Sequence, residues 1–146
     1  MSLADLYRQV IMDHYQNPRN YGVLEGADID VGLHNPTCGD EVRLTIRLGP
    51  GDVVEDAKFT GQGCSISMAA ASMTTEAIRG KPLASAVKLA EDFKAFLRRE
   101  AVEADLGELR ALEGVAQFPM RVKCATLALN ALEKGAKEWA DGKGGR

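Results

Sequence analysis

Glu41-Val42-Arg43-Leu44-Thr45-Ile46-Arg47-Leu48-Gly49-Pro50-Gly51-Asp52 is the stretch on which the fold of this chain turns. Val42, Leu44, Ile46 and Leu48 alternate with Glu41, Arg43, Thr45 and Arg47, the period of a strand with one face buried and one toward water. Gly49-Pro50-Gly51-Asp52 supplies turn chemistry, so the run from Val53 to Gln62 is expected to return antiparallel. Upstream, Ile29, Val31 and Leu33 alternate with Asp28, Asp30 and Gly32 and give a further strand. Three antiparallel strands are the simplest arrangement.

The flanks read as helices. Ser2 and Asp5 have the form of a capping box, and Leu3, Leu6, Tyr7, Val10, Ile11 and His14 recur at helical spacing. Asn17-Pro18-Arg19-Asn20 ends that helix, because proline biases the residue before it away from helical geometry, and a turn-rich linker is expected to about Gly26. After the strands, Met68, Ala71, Ser72, Thr75 and Ile78 form a helical stripe that stops at Gly80. Pro82 opens another helix, with Leu83, Ala86, Val87, Ala90, Phe93 and Leu97 on its core face and Lys88, Glu91, Lys94 and Arg98 toward water. A shorter helical piece is expected from Asp105 to Leu112, ending at Gly114, and a final helix from Pro119 through Cys124 to about Trp139. The expected fold is α+β, a three-stranded antiparallel sheet with about five helices packed on it. Residues 1–141 are expected to form a single domain, with a flexible Gly-rich tail at 142–146.

The chain has 146 residues, enough to bury a hydrophobic core without covalent staples. Its net charge of -3 argues against nucleic-acid binding, which needs clustered Lys and Arg to displace counterions. No apolar run approaches the roughly 20 residues needed to span a bilayer. Asp5 and Arg8 stand where a signal peptide would be continuously apolar, so a cytoplasmic protein that engages neither membrane nor nucleic acid is expected. Three cysteines cannot all pair internally, and in a reducing compartment they are better explained as ligands or reactive groups.

Cys38 and Asp40 lie between the first two strands, Cys64 lies between the third strand and a helix, and Cys124 lies in the first turns of the last helix. Element ends on one side of a sheet can converge, and Gly39 and Gly63 would let backbone approach closely. Three thiolates and a carboxylate suit tetrahedral zinc, and a thiolate-rich set suits an iron-sulfur cluster equally. Spacing alone also leaves room for plain buried cysteines, since no Cys-x-x-Cys pair is present. His34 is near Cys38 but is read as a surface residue, and His14 and Tyr15 are read as structural.

The words around the cysteines narrow the choice. Pro36-Thr37-Cys38-Gly39-Asp40, then Gly61-Gln62-Gly63-Cys64-Ser65-Ile66-Ser67, then Pro119-Met120-Arg121-Val122-Lys123-Cys124-Ala125-Thr126-Leu127, resemble the three cysteine motifs of the IscU/NifU-N family. The resemblance runs from Leu6-Tyr7 and His14-Tyr15-x-Asn17-Pro18-Arg19-Asn20 through the last helix. Lys123 stands where IscU has a histidine before its third cysteine, and Gln117-Phe118-Pro119-Met120-Arg121 replaces the Leu-Pro-Pro-Val-Lys segment that recruits an Hsp70 chaperone. Those departures, and the longer stretch between Cys64 and Cys124, resemble the SufU branch.

The resemblance implies a protein of iron-sulfur cluster assembly that accepts persulfide sulfur from a pyridoxal-phosphate cysteine desulfurase of the SufS kind, with other Suf assembly proteins as further partners. It implies zinc held by Cys38, Asp40, Cys64 and Cys124, with Cys38 as the sulfur acceptor, and a sulfur-transfer partner rather than a stand-alone catalyst. Arg121, three residues before Cys124, is the candidate stabiliser of thiolate charge. The alternative within the family is a scaffold on which a transient [2Fe-2S] cluster forms on the same four ligands. A structural zinc-binding module is the alternative of another class.

Overall fold

The computed structural model describes residues 2–36 and 39–144, with no side-chain detail at 143 and 144. In chain order the elements are α1 (Leu3–Gln16), β1 (Ile29–Asn35), β2 (Asp40–Leu48), β3 (Val54–Gln62), α2 (Ser65–Ile78), α3 (Leu83–Leu97), a 3-10 segment (Gly107–Gln117) and α4 (Pro119–Gly144). The sheet is an antiparallel meander in the order β1-β2-β3. Leu44 stands opposite Val31 on one side and Phe59 on the other, and Ile46 opposite Ile29 and Ala57, so one face is continuously apolar. The opposite face carries Arg43, which grips Asp30 with two hydrogen bonds of 2.9 and 2.7 Å and holds that carboxyl below the usual carboxylate range.

The helices cover the apolar face. α4 lies against β1 and β2, α2 against β3 and α4, and α1 and the 3-10 segment pack on α2. Gly135 is where α4 meets β1, and a Cβ there would fall 2.4 Å from Ile29 Cγ2 and 2.9 Å from Val31 Cγ2. The missing side chain is what lets helix and sheet close on each other.

α2 is buried around its whole circumference from Ser67 to Thr75, which its small side chains make sterically feasible. Its polar groups are satisfied inside the helix or by neighbours, as burial requires. Thr74 donates to the Ala70 carbonyl at 2.7 Å, and Thr75 to the Ser72 carbonyl at 2.8 Å. Ser72 Oγ accepts from the Arg19 backbone N–H at 2.8 Å and lies 2.7 Å from His14 Nδ1. His14 Nε2 faces the Glu108 carboxylate at 3.2 Å and so carries the ring proton, which leaves Nδ1 to accept from the Ser72 hydroxyl. His14 is thus structural, as the sequence suggested, joining α1 and the 3-10 segment to α2.

The capping box at Ser2 and Asp5 is present in both directions. The linker after α1 is more ordered than its composition suggests. Gly22 N–H donates to the Phe59 carbonyl and Phe59 N–H to the Asn20 carbonyl, so the linker covers the free edge of β3. It also buries Thr45, on the otherwise outward face, beneath the Leu24 backbone. On α3 the core face is rotated slightly, with Leu89 buried and Val87 half-buried.

The shorter helical piece expected over residues 105–112 is present as the 3-10 segment Gly107–Gln117, entered through a left-handed Gly107 (φ 56°). α4 runs to Gly144, beyond the expected end near Trp139 and into the stretch read as a tail; residues 145 and 146 lie outside the described residues. Among the described residues no helix is long and apolar enough to cross a membrane.

Removing the 1% exposed His14 ring leaves a cavity and takes away the acceptor of the Ser72 hydroxyl proton. His14→Ala is therefore expected to lower stability by about 2 to 4 kcal/mol, seen as a lower urea midpoint at unchanged m-value.

Candidate metal centre

The site begins with strand geometry. β2 starts where β3 ends, so Asp40, the first residue of β2, lies beside the chain leaving Gln62 for α2. Asp40 is 1% exposed, and its Oδ1 accepts the Cys64 backbone N–H at 3.0 Å. This bond needs Gly63. A Cβ on Gly63 would fall 2.3 Å from Asp40 Oδ1 and 2.6 Å from Ser67 Oγ, so any larger residue pushes the carboxylate away. Gly39 plays a different part from the close approach expected of it. Among the described residues nothing lies within 4 Å of a Cβ built there, and what it supplies is a left-handed turn (φ 73°) into β2.

Cys64 is the N-cap of α2, a position usually held by Ser, Thr, Asp or Asn. Its sulfur takes the capping role, accepting the Ser67 backbone N–H at 3.5 Å. Cys124, six residues into α4 and 3% exposed, has its sulfur 3.7 Å from the Met120 carbonyl. Neither cysteine is in a disulfide.

α2 and α4 pack against each other, and this contact brings their first turns together beside Asp40. One carboxylate oxygen of Asp40 and the sulfurs of Cys64 and Cys124 all lie within 4.8 Å of one another. Ligands of a tetrahedral zinc with Zn–S bonds of 2.3 Å stand about 3.7 Å apart, so closing on an ion needs shifts of roughly an ångström or less. Asp40 Oδ2 is buried with no hydrogen-bond partner among the described residues. A carboxylate oxygen in that position calls for a cation or a proton. The donor set therefore fits zinc.

Cys38, the remaining candidate, lies outside the described residues. Arg121 is exposed, and its guanidinium makes no hydrogen bond or ion pair among the described residues. It lines a groove of about 880 Å³ between α1 and the 3-10 segment, together with Leu3, Tyr7, Ser65, Ile66 and Phe118. His34 is exposed on β1 opposite Glu41, outside the convergent set. Ser67, to which the motif by itself gives no role, stands three residues after the N-cap, where its N–H bonds the Cys64 sulfur and its hydroxyl donates to the Cys64 carbonyl.

The comparisons with known proteins follow the same residues. The model of the NifU-like N-terminal domain matches residues 6–143. This chain belongs to that family. It is 56% identical over 140 residues, 94% of each chain, to a Bacillus subtilis (strain 168) protein named zinc-dependent sulfurtransferase SufU. It is 43% identical over 141 residues, 95% of this chain and 87% of the relative, to the iron-sulfur cluster assembly scaffold protein IscU of Streptococcus pyogenes serotype M1. A crystal structure from Fervidobacterium islandicum AW-1, described as a candidate iron-sulfur cluster assembly scaffold protein for the SUF system, superposes with a TM-score of 0.84. It is 30% identical and is matched over 92% of this chain and 99% of its own. Placement in the SufU branch, expected from the departures at Lys123 and residues 117–121, agrees with these likenesses.

Gly63→Ala leaves every candidate ligand in place but puts a methyl group where Asp40 Oδ1 now lies. The variant is expected to fold, by circular dichroism, and to lose bound zinc at least about tenfold more readily in a chelator competition, the range seen when groups that orient ligands are disturbed.

Proposed function

We propose that this protein is a zinc-dependent acceptor of persulfide sulfur in iron-sulfur cluster assembly, taking sulfur from a pyridoxal-phosphate cysteine desulfurase onto Cys38. The observation that carries the reading is the buried Asp40 carboxylate, one oxygen of which has no hydrogen-bond partner among the described residues, converging with two thiols in a donor set that wants a thiophilic cation. The relative named a zinc-dependent sulfurtransferase, alike over nearly the whole chain, supports the same choice.

Cys38, Asp40, Cys64 and Cys124 are the proposed ligands. Cys38 is two residues before Asp40, and two residues of chain span at most about 7 Å, so its backbone is tethered near the other three. Zinc bound there keeps coordinated thiols deprotonated at neutral pH. The chemistry then belongs to the chain. Cys64 and Cys124 are fixed by the start of α2 and the first turns of α4, whereas Cys38 belongs to a Pro-Thr-Cys-Gly connection between two strands and is the sulfur best able to reach a partner.

Its thiolate attacks the outer sulfur of the desulfurase persulfide, the S–S bond breaks, and the desulfurase cysteine leaves as a thiolate. The persulfide passes to Cys38 with no net oxidation or reduction. The desulfurase, and the Suf proteins that take sulfur onward, are the proposed partners, in the cytoplasm.

The second reading is a scaffold that assembles a [2Fe-2S] cluster on the same ligands, favoured by the 43% identical relative with that name and by a thiolate-rich set that iron-sulfur chemistry also uses. Anaerobic purification separates the two. Zinc at about one per chain supports the relay, and iron with acid-labile sulfide supports the scaffold.

Cys38→Ser is expected to leave the chain folded and able to dock to the desulfurase, while stimulation of its turnover falls to background. Mass spectrometry after incubation with desulfurase and cysteine is expected to find the added sulfur on Cys38 of the parent. Persulfide on Cys64 or Cys124 alone would overturn the assignment. Asp40→Ala is expected to weaken zinc retention while leaving Cys38 able to accept some sulfur, since a hard carboxylate is the least matched ligand in a thiolate set. A chelator titration equal to the parent's would remove Asp40 from the ligands.

A further inference from the structure

Ser67 touches the candidate centre without belonging to its ligand set. It is 3% exposed, so water does not compete for its polar groups. Its backbone N–H points at Cys64 Sγ from 3.5 Å. Its hydroxyl oxygen is 3.0 Å from the Cys64 carbonyl and 3.7 Å from Cys64 Sγ. The hydroxyl therefore has one proton and two acceptors on the same residue. The serine proton rests on the Cys64 carbonyl in this arrangement. A sulfur that carries negative charge is a stronger acceptor than a carbonyl, and a rotation of the hydroxyl about one bond turns the proton onto it. Two donors from a single residue then converge on one sulfur.

The neighbourhood keeps that hydroxyl in place. A Cβ on Gly63 would lie 2.6 Å from Ser67 Oγ and 2.3 Å from Asp40 Oδ1, so both oxygens border the space that glycine leaves open. Ser67 is anchored in the first turn of a helix that is buried from this residue onward. Hydrogen bonds to a thiolate draw charge from it and lower its nucleophilicity.

We propose that Ser67 is a positioning residue that holds Cys64 as a fixed, weakly nucleophilic sulfur, so that attack on a partner's persulfide is left to another thiol of the centre. The proposal rests on the relay reading of this site and adds a reason why the cysteines within it are not equivalent. A serine that only capped α2 would affect stability and nothing about the sulfur.

The test uses the full chain as parent, Ser67→Ala and Ser67→Thr. Cobalt-substituted protein reports the thiolate-to-metal charge-transfer band, and iodoacetamide alkylation, located by mass spectrometry, reports the reactivity of Cys64 against Cys124. Alkylation is measured with zinc bound and in metal-free protein at a pH alkaline enough to ionise the thiols of all three chains. Ser67→Ala is expected to move the band to lower energy and to raise the Cys64-to-Cys124 alkylation ratio about three- to tenfold, the net worth of an ordinary intramolecular hydrogen bond. Ser67→Thr, which keeps the hydroxyl, is expected to restore both.

A Ser67→Ala chain with band and ratio unchanged, a Ser67→Thr chain that behaves like Ser67→Ala, or a Ser67→Ala chain that does not fold overturns the proposal. A parent that takes up neither zinc nor cobalt defeats the metal reading alone, and the metal-free alkylation ratio then still decides the role of Ser67.

Discussion

The hydrogen bond from the Cys64 N–H to Asp40 Oδ1 ties the start of β2 to the start of α2, and the rest of the centre is arranged around it. One oxygen of the carboxylate satisfies an N–H at the head of a helix, where intrahelical acceptors are lacking, and the other is buried with no hydrogen-bond partner among the described residues. A single side chain thus ties the fold together and offers a candidate ligand to the two nearby sulfurs. This economy depends on Gly63, because any Cβ would occupy the space of the carboxylate. The motif Gly63-Cys64-Ser65-Ile66-Ser67 is better understood as a steric and hydrogen-bonding unit than as a cysteine with neighbours.

The second requirement is that α2 and α4 meet at their first turns. Both helices lie on the sheet, α4 through the Gly135 contact with β1 and α2 against β3, and each carries one cysteine near its N-terminus. Burying α2 on all sides removes its freedom to shift, so Cys64 is held by the whole core rather than by a loop. The polar chain Arg19–Ser72–His14–Glu108 fastens the outer helical layer to the same helix. Rigidity of this kind suits a candidate ligand that is to keep its position.

Leu3, Phe118 and Met120 are each more than half exposed, and the groove between α1 and the 3-10 segment opens beside Ser65, Ile66 and Arg121. Arg121 lines this groove from the exposed side of α4. Residues i and i+3 are neighbours on a helix surface, but here Cys124 is turned into the core and Arg121 toward solvent.

Most of the fold could be read from the sequence because its signals are local. Alternation in Val42 to Leu48, the turn at residues 49–52, the capping box at Ser2 and the glycine and proline stops each act within a few residues, and the element order follows from them. The 3-10 segment, the covering of the β3 edge by residues 20–22 and the extension of α4 were not legible, since they depend on what packs against each stretch. The identity of the candidate ligands was likewise in the sequence, carried by the motif words. What only the tertiary structure decided is how they are held: Asp40 bonded to a backbone N–H, Cys64 serving as a helix cap, Ser67 set against its sulfur, and Gly63 acting through absent volume. The bond between Asp40 and Cys64 joins residues 24 positions apart in the chain, and no local pattern encodes the distance between an oxygen on one strand and the head of a helix.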